Sequence, residues 1–371
     1  MTKTLELTKK LVSLPSWVGT GCDEIKVAEF IYGWLCNNTK LKITKQPVKN
    51  GRFNVIATDG YPTRLLLAGH IDTVEPRAGW NTDPFTPTLV GSRLYGLGAT
   101  DMKGSLSACM TTLSSLPKTK GVMFLAYCDE EYDFAGMRTF IKKCGNSLRP
   151  ELVISLDGYC DSIGTGCRGL IEVSFKLRGK TGHAGRPEQG INAISLGVEA
   201  INRLKTKLAK VYCDPSLGPT TLNLAYCQGG LDLGNNRYGR QGNNIANIAE
   251  YVLDIRPATP ELTASKLRKL ITSLARSSNL KLIDWKVRHD LGSWTTLASD
   301  ITKKTSLSGN FETFGGYVDT QMIWKQCGKP TCLAIGAATR SVAHAPNEYL
   351  KLQSLQKTED IIAKILNKYL K

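Results

Sequence analysis

The chain is short of several things, and each shortage narrows what it can do. It has only four histidines, His70, His183, His289 and His344, in 371 residues. Any imidazole chemistry must draw on those four. Its eleven cysteines contain no C-x-x-C pair, which argues against a disulfide framework and for reduced thiols in a cytoplasm. No apolar run approaches the roughly 20 residues needed to span a bilayer. The charged, amphipathic start MTKTLELTKKLVSLPSW has no signal-peptide core. A soluble cytoplasmic protein with no membrane partner is expected. Acidic residues are also scarce: 32 Asp and Glu face 48 Lys and Arg, a net charge of +16. The densest basic patch runs through Lys266, Arg268, Lys269, Arg276, Lys281, Lys286 and Arg288. Aromatics are not interleaved with it, as a stacking platform for nucleic acid would require. A solvated basic surface is the first reading, and electrostatic attraction of small anionic substrates is the functional alternative.

What is present is a repeated pattern of short apolar strands that end in chemistry. Leu65–Ala68 leads into Gly69-His70-Ile71-Asp72, and Gly121–Tyr127 leads into Cys128-Asp129-Glu130-Glu131. Leu152–Leu156 ends at Asp157, and Thr331–Ile335 precedes the segment that carries His344. Helical periodicity covers Leu5–Leu14, Asp23–Leu35, Ser105–Leu116, Phe134–Lys143, a stretch from Leu297, Asp319–Cys327 and Leu352–Leu370. Further strands are expected at Leu41–Val48 and Asn54–Thr58. Alternating strands and helices predict an α/β fold with a mostly parallel sheet covered on both faces. Functional groups gather at the carboxyl ends of such strands. His70 there is placed to hold a metal ion, with Asp72 orienting its imidazole from behind.

The rhythm changes after Gly166. Strands at Leu170–Leu177, Thr221–Tyr226, Tyr251–Ile255 and Leu280–Val287, with helices at Asn192–Leu208 and Thr263–Ser277, give the order β-α-β-β-α-β. This predicts an inserted antiparallel domain over residues 167–289, between catalytic segments 1–166 and 290–371. Gly229–Asn244, rich in Gly and Asn, is expected to be a mobile loop.

Two imidazoles with several carboxylates make a ligand set for divalent ions, with zinc the best match and cobalt or manganese compatible. Asp101 follows the glycine-rich turn Gly96-Leu97-Gly98. That turn lacks the Gly-Lys-Ser/Thr ending of a phosphate loop.

GHIDTV, GATDMKG, DEE, GKTGHAGRPEQGINAI, YVLDIRP and AHAPNEYL occur in this order. Together they resemble the family of acetylornithine deacetylase, succinyl-diaminopimelate desuccinylase and glutamate carboxypeptidase, over essentially the whole chain. The resemblance implies a two-segment catalytic domain with an inserted ferredoxin-like lid that often forms a homodimer. It implies two metal ions, held by His70, Asp101, Glu131, Asp157 and His344, with Asp101 bridging them and followed by a cis peptide. Glu130 would be the general acid/base serving a metal-bridging hydroxide, and Asp72 would support His70. His183 would donate to the oxyanion, while Arg256 and Asn243 would contact substrate. The rival readings are a loop histidine for His183 and surface pairing for Arg256. His289 belongs to no motif and reads as structural or exposed. Asp157 stands where family deacylases and carboxypeptidases generally have Glu, which favours an aminopeptidase or dipeptidase. Ala246 replaces a usual Pro, and Gly336-Ala337-Ala338 a usual Gly-Pro-Gly.

The expected activity is hydrolysis of the amide bond of a small N-acyl amino acid. A peptidase of the same family is the alternative, and a non-catalytic binding homologue the alternative of another class. An acidic carrier protein would suit the positive charge, with no other feature in its favour.

Overall fold

The structure, a computed structural model, describes residues 2–19 and 21–368. The fold divides into two compact units: Met1–Gly166 with Thr295–Glu312 and Val318–Lys371, and Cys167–Trp294 with Thr313–Tyr317. In chain order, the first unit opens with α1 (Lys3–Val12), α2 (Ile25–Asn38), β1 (Lys42–Pro47), β2 (Phe53–Thr58) and β3 (Leu65–His70). A ribbon of β4 (Thr88–Val90) and β5 (Arg93–Tyr95) precedes α3 (Gly104–Ser115), β6 (Val122–Tyr127) and α4 (Ala135–Cys144). Then come β7 (Leu152–Ser155) and β8 (Ile163–Cys167). The second unit begins with β9 (Leu170–Arg178), α5 (Ala193–Val211) and the small pair β10 (Cys213–Asp214) and β11 (Gly218–Pro219). It continues through β12 (Thr221–Asp232), β13 (Tyr238–Gly239), β14 (Ile248–Arg256), α6 (Ala264–Ser277) and β15 (Lys281–Leu291). After β16 (Trp294–Thr295) come α7 (Ala298–Thr305), β17 (Phe311–Phe314), α8 (Thr320–Gln326), β18 (Thr331–Ala334), β19 (Tyr349–Lys351) and α9 (Leu352–Asn367). The expected end of the last helix, Leu370, lies outside the described residues.

In the first unit, β6, β3, β7 and β18 lie side by side and parallel, with Phe124, Leu67, Ile154 and Leu333 in register. Strands β2 and β1 add antiparallel at one side and β8 at the other. A parallel strand buried on both faces must be apolar throughout, and LLLAGH of β3 is buried at every position. Leu65 and Leu67 pack with Leu11 of α1, Ile31 and Leu35 of α2, Leu106 of α3 and Ile362 of α9. Each such buried side chain stabilises by about 1.5–3 kcal/mol. Helices α4 and α8 pack on each other and on β2 and β7, outside that cluster, so both faces are covered. The four parallel strands therefore deliver their carboxyl ends to one edge of the sheet.

The second unit is an antiparallel sheet in the order β13-β12-β14-β9-β15. Strand β9 alternates buried and half-buried residues, and its inner face packs with Ile201 and Leu204 of α5 and Leu267 and Ile271 of α6. Asn192 caps α5 by accepting from the Ile194 and Ser195 amides, and Thr263 caps α6. One expectation is corrected. Gly229 and Gly230 continue β12, paired with Ala249 and Ile248, and β13 folds back on Leu231 and Asp232. The glycines that suggested a mobile loop instead permit close passage: a Cβ on Gly230 would meet the Gly239 carbonyl.

Candidate metal centre

Strand β3 ends in His70, which is 1% exposed. Its Nδ1 lies 3.1 Å from the Asp72 carbonyl oxygen and 3.5 Å from Asp72 Oδ1. Asp72 does more than orient this ring. Its carboxylate accepts from the Glu130 amide at 3.1 Å and the Glu131 amide at 2.9 Å. It thereby ties the end of β3 to the turn after β6.

The turn before α3 brings in Asp101, whose peptide bond to Met102 is cis. Gly98 ahead of it has φ 77, a conformation that glycine adopts without penalty. Asp101 Oδ1 lies 3.1 Å from His70 Nε2, and Oδ2 lies 3.1 Å from His344 Nε2. His344 Nε2 is also 2.9 Å from Glu131 Oε1. One carboxylate thus stands between two imidazoles. Donor atoms of His70, Asp101 and Glu131 fall within 4.8 Å of one another. Asp157 follows the end of β7 and interacts electrostatically with Asp101 and Glu131. All five expected metal-binding residues, with Asp72 and Glu130, are brought together in the first unit.

Crowding of negative charge dominates the electrostatics. Burial, reinforced by Asp101, pushes Asp157 up to about 7. Burial also raises Glu131, although its bond to His344 opposes the rise. Glu130 is raised well above the usual range by burial and by Glu131, Asp319 and Asp157, with His70 opposing. Asp101 is the exception: burial would raise it, but its bonds to both imidazoles hold it low. His344's own bonds to Asp101 and Glu131, opposed by burial, lift it to about 10. Two imidazoles and three carboxylates concentrated at one place are the donor chemistry of a divalent-cation pair. Added positive charge would relieve the repulsion that raises Asp157 and Glu131. The residues present fit such a pair.

Two supporting residues escaped the sequence reading. Glu348 is 2% exposed, and its carboxylate accepts from the amides of Gly98 at 3.0 Å, Thr100 at 2.8 Å and Asp101 at 3.2 Å. Burial and Asp101 push it up to about 8, against the pull of those three bonds. Its position four residues after His344, in AHAPNEYL, was the available signal. Asp319 is fully buried and accepts from the Tyr127 hydroxyl at 2.5 Å. Its Oδ2 has no partner among the described residues. Burial raises it to about 7, while Tyr127 and His70 pull it down.

The remaining predicted residues belong to the second unit. His183 is exposed and pairs with Asn244 as an isolated bridge. Its Nδ1 accepts from the Gly185 amide at 3.1 Å, which leaves the proton on Nε2 in the neutral ring. Asn243 is exposed, and its carbonyl accepts from Ala184. Arg256 is already engaged: its Nε and Nη2 donate to the two Asp254 oxygens at 2.8 and 2.9 Å. His289 is buried on β15.

Comparison with known proteins identifies the family. Residues 66–368 match peptidase family M20/M25/M40. The acetylornithine deacetylase of Photorhabdus laumondii is 29% identical over 396 aligned positions, covering 98% of this chain and 97% of the relative. Aminopeptidase PepT from Bacillus cereus superposes with a TM-score of 0.78 at 19% identity, covering 100% of this chain and 98% of that one. The Bacillus subtilis YXEP protein, described as a dinuclear metal-binding peptidase of the M20 family, superposes with a TM-score of 0.67 at 16% identity, covering 99% and 97%. The chain belongs to peptidase family M20/M25/M40 and is a metal-dependent amide hydrolase.

Proposed function

We propose that the protein hydrolyses the amide bond of a small N-acyl amino acid, in the manner of a deacetylase, with two zinc ions. The observation that carries this is Asp101 set between His70 and His344, with the half-buried Glu130, bonded to neither imidazole among the bonds described, beside it. Deacetylase relatives aligned over almost the whole chain support the substrate class. His70 and Asp157 would hold one ion, Glu131 and His344 the other, and Asp101 both. Bound there, the cations supply Lewis-acid polarisation of the scissile carbonyl and a more acidic water. Glu130 makes no side-chain bond to either imidazole among those described. Its raised proton affinity suits it to take a proton from the attacking water and return it to the leaving amine. Asp72 fixes that carboxylate through the Glu130 amide.

His183, with its proton on Nε2, would donate to the developing oxyanion. Arg256, after release from Asp254, would meet the substrate carboxylate, and Asn243 would contact the substrate. A homodimer through the second unit is proposed because Thr221–Tyr226 of β12 form an outer edge. Strand β13 covers only Leu231 and Asp232. No helix among the described residues is long and apolar enough to cross a membrane; cytoplasmic residence remains part of the proposal.

A peptidase is the second reading, favoured by Asp157 and by the PepT superposition. Amine release from N-acetyl and N-succinyl amino acids and from dipeptides, by zinc-loaded wild type and Glu130→Ala, separates the two. Turnover of an acyl amino acid that Glu130→Ala loses while binding zinc normally supports the deacylase; dipeptide cleavage alone replaces it. No turnover with zinc bound favours a non-catalytic binder.

A further inference from the structure

Behind the Glu130–Glu131 turn lies a buried ion cluster that the proposed reaction does not use. Arg52, Glu24 and Asp129 are 4%, 1% and 1% exposed. A single nitrogen, Arg52 Nη1, donates to Glu24 at 3.2 and 3.3 Å and to Asp129 Oδ1 at 2.9 Å. Asp129 is left-handed, with φ 70. Its Oδ2 accepts from the Ala135 amide and its carbonyl from the Phe134 amide. Asn54, two residues after Arg52, accepts from the Cys128 amide and donates to the Gly136 carbonyl. The segment from Cys128 to Gly136 is thus held from the β2 side by Arg52 and Asn54. Asp72 holds it on the other side through the Glu130 and Glu131 amides.

Burying three charges is expensive, and well-packed apolar residues of the same volume are often as stable. Stability alone therefore gives no reason for charge here. Direction does: the ion pair orients Asp129, and Asp129 is the residue before Glu130. We infer that Arg52, itself anchored by Glu24, is a positioning residue that presets Glu130 and Glu131 for proton transfer and metal binding. This rests on the roles proposed above for those two carboxylates. Misplacing such groups by about 1 Å can cost about a hundredfold in rate.

The test compares zinc-loaded wild type, Arg52→Lys, Arg52→Met and the charge-neutral Glu24→Gln/Arg52→Met/Asp129→Asn, all full length. One nitrogen makes all three contacts, so lysine can substitute, and Arg52→Lys keeps kcat within about threefold. Arg52→Met lowers kcat about thirtyfold with KM within about twofold. Its amide exchange quickens across residues 129–136 and not in β3 or β7. The triple variant regains the melting temperature that Arg52→Met loses, yet its kcat stays low.

Three results overturn the inference: kcat that recovers fully with stability in the triple variant, unchanged exchange at 129–136 in Arg52→Met, or Arg52→Lys as slow as Arg52→Met. A wild type that turns over nothing sinks the amidase reading instead. The exchange pattern, and whether Arg52→Met binds one zinc fewer than wild type, then decide the inference alone.

Discussion

Replacing Glu348 with Gln isolates what a buried carboxylate contributes to a metal centre that it never touches. Its Oε1 accepts from the Thr100 and Asp101 amides and its Oε2 from the Gly98 amide. A glutamine placed with its oxygen at the Oε1 position keeps two of these bonds. Its NH2 then faces the Gly98 amide, donor against donor, and an orphaned buried donor costs about 1–3 kcal/mol. Above about pH 8, where Glu348 is ionised, the two surviving bonds also lose their charge assistance, about 1 kcal/mol more in all. Removing a negative charge beside Asp101 offsets part of that loss. The net cost is about 2 kcal/mol, and it falls on the turn that places Asp101 between the imidazoles. Expressed as metal affinity, that is about thirtyfold. A chelator competition above about pH 8 on Glu348→Gln should show the tightest zinc bound about thirtyfold more weakly, with kcat depressed at limiting zinc. Wild-type affinity and full activity in this variant would refute the argument, because the three amide bonds would then have no bearing on Asp101.

Other consequences follow from the same geometry. Asp72→Asn weakens the hold on the Glu130 and Glu131 amides and should lower kcat or zinc affinity about ten- to a hundredfold; unchanged values in both assays would remove Asp72 from the site. Tyr127→Phe removes the donor to Asp319 Oδ1, and the other Asp319 oxygen has no partner among the described residues. It should destabilise the fold by about 1–3 kcal/mol, with Asp319→Asn in the same chain recovering part in a denaturation series. Zinc uptake should release protons, because His344 titrates near 10 and Asp157 near 7 in the metal-free protein. Apparent affinity therefore rises with pH through that range, and calorimetry in buffers of different ionisation enthalpy that finds no proton release would refute it. The metal-free fold behaves oppositely: the His344 ion pairs stabilise it fully below the ordinary 6.5 and are lost as pH rises through about 10.

Much of the centre was legible because His70, Glu131 and Asp157 follow apolar runs at the carboxyl ends of the parallel strands β3, β6 and β7, a pattern that periodicity and burial impose together. What stayed hidden acts on backbone or in short elements. Glu348 works on amides that the fold brings to it from Gly98 and Asp101; its place four residues after His344 marks the residue but not those partners. Glu24, at the start of an expected helix, and Arg52, between two expected strands, look like ordinary surface charges until burial removes their solvent. Strands β4, β5 and β19 are three residues each, too short for any period, and β19 joins β5 from far along the chain.

Arg256 shows the opposite case, a warning that the sequence did contain. Asp254 and Arg256 are two apart on a strand, so their side chains share a face, and the structure joins them through both Asp254 oxygens. A substrate carboxylate that approaches the Nε–Nη2 fork competes with Asp254 for those two donors. Both partners are about a third exposed or less, at 33% and 27%, and such a pair is worth up to about 1 kcal/mol. If Arg256 binds the substrate, Asp254→Asn frees its fork and should lower KM for a carboxylate substrate by up to about fivefold, while leaving KM for the matching carboxamide unchanged. Equal effects on both substrates, or none on either, would make the pair a strand-end contact and leave recognition of the carboxylate to other residues.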